Sequence, residues 1–134
     1  MKTFILGVGA QKAGSTWLFK YLNKLPGAIR PFYKEFHIWN ALEIPECQRW
    51  KYAFNPDLLK TKYGLRMLLQ KETEIYFHYF DELLAKQNGS ITYDITPCYA
   101  GLNTSTLKHI YDNFKKRDIN CKVIFITRDP IDRC

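Results

Sequence analysis

Apolar residues along this chain follow two rhythms that alternate. Short continuous runs occupy residues 3–8 (TFILGV), Ile91–Ile95 and residues 121–127 (CKVIFIT), each bounded by glycine, proline or charged residues. Such runs fit strands buried on both faces. Between them, apolar positions recur three and four residues apart: Trp17, Leu18, Tyr21, Leu22 and Leu25; Ile75, Tyr76, Tyr79, Phe80, Leu83 and Leu84; Leu107, Ile110, Tyr111 and Phe114. That spacing predicts amphipathic helices. The first should begin near Ser15 and stop at Pro26-Gly27. The second should span Glu74–Lys86 and stop at Asn88-Gly89. The third should start behind Asn103-Thr104-Ser105 as cap. A further short strand is expected within residues 28–33, with a loop or helix start over 34–40. Asn55-Pro56-Asp57 reads as a helix start with Asn55 as cap, and Asp129-Pro130 as another.

Strands alternating with helices predict an α/β domain with a mainly parallel sheet. In such sheets ligands bind beyond the carboxyl ends of the strands. Three segments fall there: the glycine loop after the first strand, DITPCY (94–99) after the third, and Arg128 after the fourth.

With 134 residues the chain suits one domain. Its 46% hydrophobic and 16% aromatic content excludes a disordered chain. The net charge of +7 favours anionic partners, although a lysine-rich solvated face would give the same number. Cys47, Cys98, Cys121 and Cys134 form no C-x-x-C pair, which argues against zinc; Cys121 reads as a buried thiol, and no disulfide framework is expected. The apolar start is too short for a signal peptide, and no stretch is long enough to span a membrane, so a cytoplasmic location is expected. His78 and His109 fall inside helical patterns and read as structural. Lys115-Lys116-Arg117 reads as a solvated helix end.

The stretch GVGAQKAGST (7–16) holds the sharpest chemistry. Gly9 and Gly14 have the spacing of a nucleotide-kinase phosphate loop, and Thr16 stands where that loop wants Ser or Thr. But Ser15 occupies the lysine slot, and Lys12 lies inside the loop. Backbone N–H groups at a helix N-terminus form an anion site. Ser15 and Thr16 add hydroxyl donors, and Lys12 adds a full charge.

QKAGSTWL (11–18) resembles the 5′-phosphosulfate loop of the sulfotransferases that use 3′-phosphoadenosine 5′-phosphosulfate as donor. Three further landmarks follow in that family's order. KEFHIW (34–39) resembles its Lys-Glu-Pro-His element, with Phe36 in place of proline. DITPCY resembles its acidic residue followed by Ser/Thr-Pro-x-Tyr. FITRDPIDR (125–133) resembles its strand followed by Arg-Asn-Pro, with Asp129 in place of asparagine.

The resemblance implies a P-loop-like three-layer α/β/α fold with a central parallel sheet. The first strand should be central, because the donor's 5′- and 3′-phosphates hang on one ribose and the loop and Arg128 must therefore sit on neighbouring strand ends. It implies that Gln11, Lys12, Ala13, Gly14, Ser15, Thr16, Trp17 and Arg128 hold the donor; Arg133 adds to the 3′-phosphate site or packs on the next helix. Lys12 would stabilise the leaving phosphate. Glu35 or His37 would be the general base, with Glu35 favoured because it matches members acting on carbohydrates. Lys34 would orient the acceptor or the sulfuryl oxygens, and Asp94 and Tyr99 would serve the acceptor. The acceptor is expected to be a carbohydrate, possibly anionic; no metal, nucleic acid or membrane span is expected.

The family pattern continues beyond Cys134 to a serine sharing the 3′-phosphate site. Residues 1–134 are therefore expected to be the N-terminal portion of one sulfotransferase domain, with the activity of that portion alone open. Two other classes stay open: a P-loop kinase or NTPase with a variant loop and Asp94 as a weak magnesium candidate, and a non-catalytic anion-binding module.

Overall fold

A computed structural model describes residues 1–129. Its centre is a three-stranded parallel sheet in the order β2-β1-β3, built from β1 (Lys2–Gly9), β2 (Ile91–Ile95) and β3 (Ile119–Phe125). Thr3 of β1 aligns with Ile91 of β2 and Asn120 of β3. The order puts the strand that feeds the glycine loop in the middle, as expected.

The strand period of two sorts the side chains onto two faces. Ile5, Tyr93 and Ile95 form one apolar cluster with Leu18 and Leu22 of helix α1 (Ser15–Leu22). Phe4, Leu6 and Val8 join the other cluster, with α4 (Glu74–Lys86) and α5 (Thr104–Lys115). There Tyr76, Phe77, Phe80 and Phe114 are fully buried. Phe4 stacks on Phe114 at 4.1 Å and meets Phe80 edge-on at 4.7 Å. Each such ring contributes roughly 1.5–3 kcal/mol by burial. Two further helices, α2 (Trp39–Glu43) and α3 (Gly64–Lys71), and 3-10 turns over Pro45–Trp50, Pro56–Leu58 and Pro97–Gly101 complete the chain.

The expected α4 and β2 boundaries match the structure; other expectations are corrected. Residues 28–33 form no strand, only the single bridge Ala28–Ile91, because Pro31 has no N–H to continue a ladder. The first helix ends at Leu22; Lys24, Leu25 and Ala28 then make tight turns whose N–H groups reach back three residues. Asn55 does accept from the Asp57 N–H at 3.0 Å, but it starts only a 3-10 turn. β3 begins and ends two residues earlier than the apolar run suggested. Asn103 makes no side-chain cap on α5. Glu43 of α2 takes that role, accepting from the Asn103 N–H at 2.6 Å and from the Thr106 hydroxyl. The structure adds helix α3, which is not among the helices expected above. Cys47, Cys98 and Cys121 are free thiols, and burial pushes Cys121 up to about 12. No helix of the described residues is long and apolar enough to cross a membrane. The helix expected to follow Asp129, with Arg133 and Cys134, lies outside the described residues.

Candidate functional site

The loop between β1 and α1 turns through two left-handed residues. Lys12 has φ 58°, and Gly14, which caps α1, has φ 111°. A Cβ at Gly14 would meet nothing within 4 Å, so backbone conformation rather than space requires glycine there. Leu18 donates its N–H to the Gly14 carbonyl at 3.0 Å, which starts the helix. The N–H groups of the first turn stay open at that end, the donors an anion needs. Ala13 is buried and anchors the loop, and Lys12 is exposed. Gln11 Nε2 donates to Cys98 Sγ at 3.2 Å, tying the loop to the segment after β2.

That segment and KEFHIW meet the loop in a cavity of about 330 Å³. Gln11, Lys12, Ser15, Thr16, Lys34, Glu35 and His37 line it, and so do Arg49, Trp50, Pro97 and Cys98. Lys34 reaches across to the loop: its Nζ donates to Thr16 Oγ1 at 3.1 Å and lies 3.5 Å from Ser15 Oγ. The same ammonium is 3.8 Å from the Glu35 carboxylate. It bridges loop and carboxylate.

Glu35 and His37 differ in what they can offer. His37 is 2% exposed, and both ring nitrogens are engaged. In the neutral ring, Nε2–H donates to Glu35 at 3.0 Å, and Nδ1 accepts from Asn40 Nδ2 at 3.0 Å. The ring stacks on Trp50 at 3.7 Å with planes 2° apart. Glu35 keeps about a third of its side chain exposed. The His37 hydrogen bond, then the charges of His37, Lys34 and Arg66, hold its carboxyl below the ordinary value of 4.5, against the opposing effect of burial.

Two residues of α3, spaced one turn apart, hold these segments. Arg66 donates from Nε to the Phe36 carbonyl at 2.7 Å and from a terminal nitrogen to the Glu35 carbonyl at 2.9 Å. Gln70 Nε2 donates to the His37 and Trp50 carbonyls at 2.9 and 2.8 Å. Both are buried polar residues on a helix, a pattern that reads as solvent-facing in sequence.

No protein-family model matches the chain, and no curated protein is significantly similar to it.

The remaining residues singled out in the sequence lie elsewhere. Asp94 and Tyr99 do not reach the cavity: both are 0% exposed, a correction to their expected role on the acceptor. The strand alternation turns Asp94 into the aromatic layer, away from the face carrying Tyr93 and Ile95. Its carboxylate accepts from the Tyr76 and Tyr99 hydroxyls at 2.8 Å each, from Thr96 Oγ1 at 2.6 Å and from the Phe36 N–H at 3.3 Å. Tyr99 Oη in turn accepts from the Ile38 N–H at 3.3 Å. The pair anchors KEFHIW from beneath. Replacing Asp94 with alanine orphans several buried donors and should destabilise the fold by roughly 3 kcal/mol or more. Chemical denaturation measures this; a midpoint equal to wild type would exclude the anchoring role.

Trp17 is 65% exposed and stacks on Tyr21 at 5.4 Å on the outer side of α1. Arg128 is exposed. It follows the last backbone pairs between β1 and the chain leaving β3, Ile126 N–H to Gly9 at 2.8 Å and Ala10 N–H to Ile126 at 3.0 Å. It therefore leaves the sheet at the loop's end. His78 and His109 are exposed on their helices.

Proposed function

We propose that this chain carries the donor-binding and catalytic residues of a sulfotransferase using 3′-phosphoadenosine 5′-phosphosulfate, with a P-loop-like three-layer α/β/α fold. The observation that carries the reading is one cavity lined by Lys12, the Ser15 and Thr16 hydroxyls of the first turn of α1 and the Glu35 carboxylate, joined through Lys34. Helices on both faces of the sheet support the fold, and Arg128 at the loop's end of the sheet fits a grip on a 3′-phosphate.

The donor's 5′-phosphosulfate fits the open N–H groups of α1, the hydroxyls of Ser15 and Thr16, and the Lys12 and Lys34 ammonium groups. In the transfer, Glu35 takes the proton of the acceptor hydroxyl or amine as its O or N bonds to sulfur. The bond from sulfur to the 5′-phosphate oxygen breaks, and Lys12 stabilises the negative charge left on that phosphate. His37 holds Glu35 in place through Nε2–H. A kinase or NTPase reading would use Asp94 for magnesium, and the donors already converging on that buried carboxylate count against it.

Calorimetry with adenosine 3′,5′-bisphosphate tests the reading. Binding should occur equally with and without magnesium and should be tighter than binding of ATP. ATP binding that requires magnesium, with none of the bisphosphate, would overturn it.

The depressed Glu35 pKa sets a pH dependence. Its folded value lies below the unfolded one, so the carboxylate persists as pH falls through the ordinary 4.5. Turnover should therefore hold from neutral pH down to that range and drop only below it. A loss already complete well above that range would count against Glu35 as the base.

A further inference from the structure

Two residues of the cavity wall, Arg49 and Trp50, belong to none of the four sequence landmarks. They end the Pro45–Trp50 turn, which is firmly held. Cys47 is buried in it, and Gln48 Nε2 donates to the Ala41 carbonyl at 3.0 Å. The Gln70 amide is bracketed by the Trp50 carbonyl and the Tyr52 N–H, both at 2.8 Å. Because Trp50 lies flat on His37 and His37 is bonded to Glu35, this wall is in fixed register with the carboxylate.

The cations around it are differently engaged. Lys34 is bonded to Thr16 and sits near Glu35. Arg66 is buried, and its guanidinium donates to two carbonyls. Arg49 is exposed, and its guanidinium lies 5.5 Å from the Trp50 ring centre. Among the described residues it has no carboxylate partner and no hydrogen-bond acceptor. The ring contact orients the guanidinium without using its N–H groups. A planar fork of donors is left, matched to a carboxylate or a sulfate. Most of the other lining residues carry a hydrogen-bonding group, while Trp50 and Pro97 add apolar surface. Such a mixed surface suits a sugar, whose hydroxyls and apolar ring face can both be met.

We propose that Arg49, oriented by Trp50, binds a negatively charged substituent of the acceptor, so that the site selects acidic sugars over neutral ones. The proposal rests on the sulfotransfer reading and deepens it: it names the acceptor class and the residue that discriminates it.

The test is an NMR titration of the chain with methyl glucuronide, methyl glucoside and methyl glucoside 6-sulfate, with adenosine 3′,5′-bisphosphate present and absent. An acidic sugar should move the Arg49 Nε–H and Trp50 indole signals. Either the carboxylated or the sulfated sugar supports the proposal, and the stronger binder identifies the anion. Arg49→Gln should weaken the acidic sugar roughly tenfold or more, as loss of a charge-assisted pair would. The same variant should leave the bisphosphate affinity unchanged. Equal binding of methyl glucoside, no binding of any sugar, or loss of acidic-sugar binding in Lys12→Ala but not in Arg49→Gln would overturn it. If the bisphosphate fails to bind while Arg49-dependent sugar binding persists, the reaction reading falls and the acidic-sugar site stands.

Discussion

Replacing Glu35 with glutamine should lower turnover by roughly 100- to 10,000-fold and leave binding of adenosine 3′,5′-bisphosphate intact. Glutamine keeps the shape and can still accept from His37 Nε2–H, but it cannot take a proton. His37→Ala should cost less. Both nitrogens of His37 are already engaged, by Glu35 and Asn40, so its loss frees the carboxylate to wander without removing the base. It also removes the largest influence holding the Glu35 pKa down, so the acid limb of the pH profile should move upward in that variant. Turnover, followed as bisphosphate release, and bisphosphate affinity are measured together on both variants. A dead His37→Ala beside a nearly normal Glu35→Gln would reverse the assignment and shift the acceptor class from carbohydrate towards a small phenol or alcohol.

Lys12→Ala should reduce turnover by roughly 100- to 1000-fold, about 3–4 kcal/mol, and weaken product binding far less. In the proposed transfer the lysine acts on charge that appears only as the sulfur–oxygen bond breaks, so it would contribute more to the transition state than to the ground state. Its exposure on a left-handed residue inside the loop, rather than at the start of the helix, matches that task. An unchanged turnover number would remove Lys12 from the mechanism.

The sequence disclosed those parts of the molecule whose local pattern carries their role. The central strand and its loop were legible because an apolar run, a glycine pair and a helical stripe follow one another. KEFHIW was legible as a motif, and its carboxylate does line the cavity. What stayed hidden is held by contacts between distant segments. Nothing local marks Arg66 and Gln70 as buried, since a charged and an amide side chain one turn apart look like a solvated face. Nothing in the residues around Asn103 announces that Glu43, sixty positions earlier, caps α5. Arg49 and Trp50 sit in an aperiodic stretch and gain meaning only when that stretch folds against His37. Asp94 stands out in sequence as an acidic residue at a strand end, but the fold surrounds it with tyrosine hydroxyls inside the aromatic layer. The strand alternation that turns it inward was present in its neighbours Tyr93 and Ile95.

The stacking of Trp50 on His37 has an optical consequence. The three tryptophans differ in surroundings: Trp17 is exposed, Trp39 is nearly buried, and Trp50 lies flat against an imidazole. An aromatic ring in face-to-face contact with an indole alters the light the indole emits. Removing the imidazole in His37→Ala should therefore change the Trp50 share of the emission and leave that of Trp17 unchanged. The protein thus carries its own luminescent gauge of the contact between the Pro45–Trp50 turn and the Glu35–His37 pair, readable without a label and without knowing the acceptor.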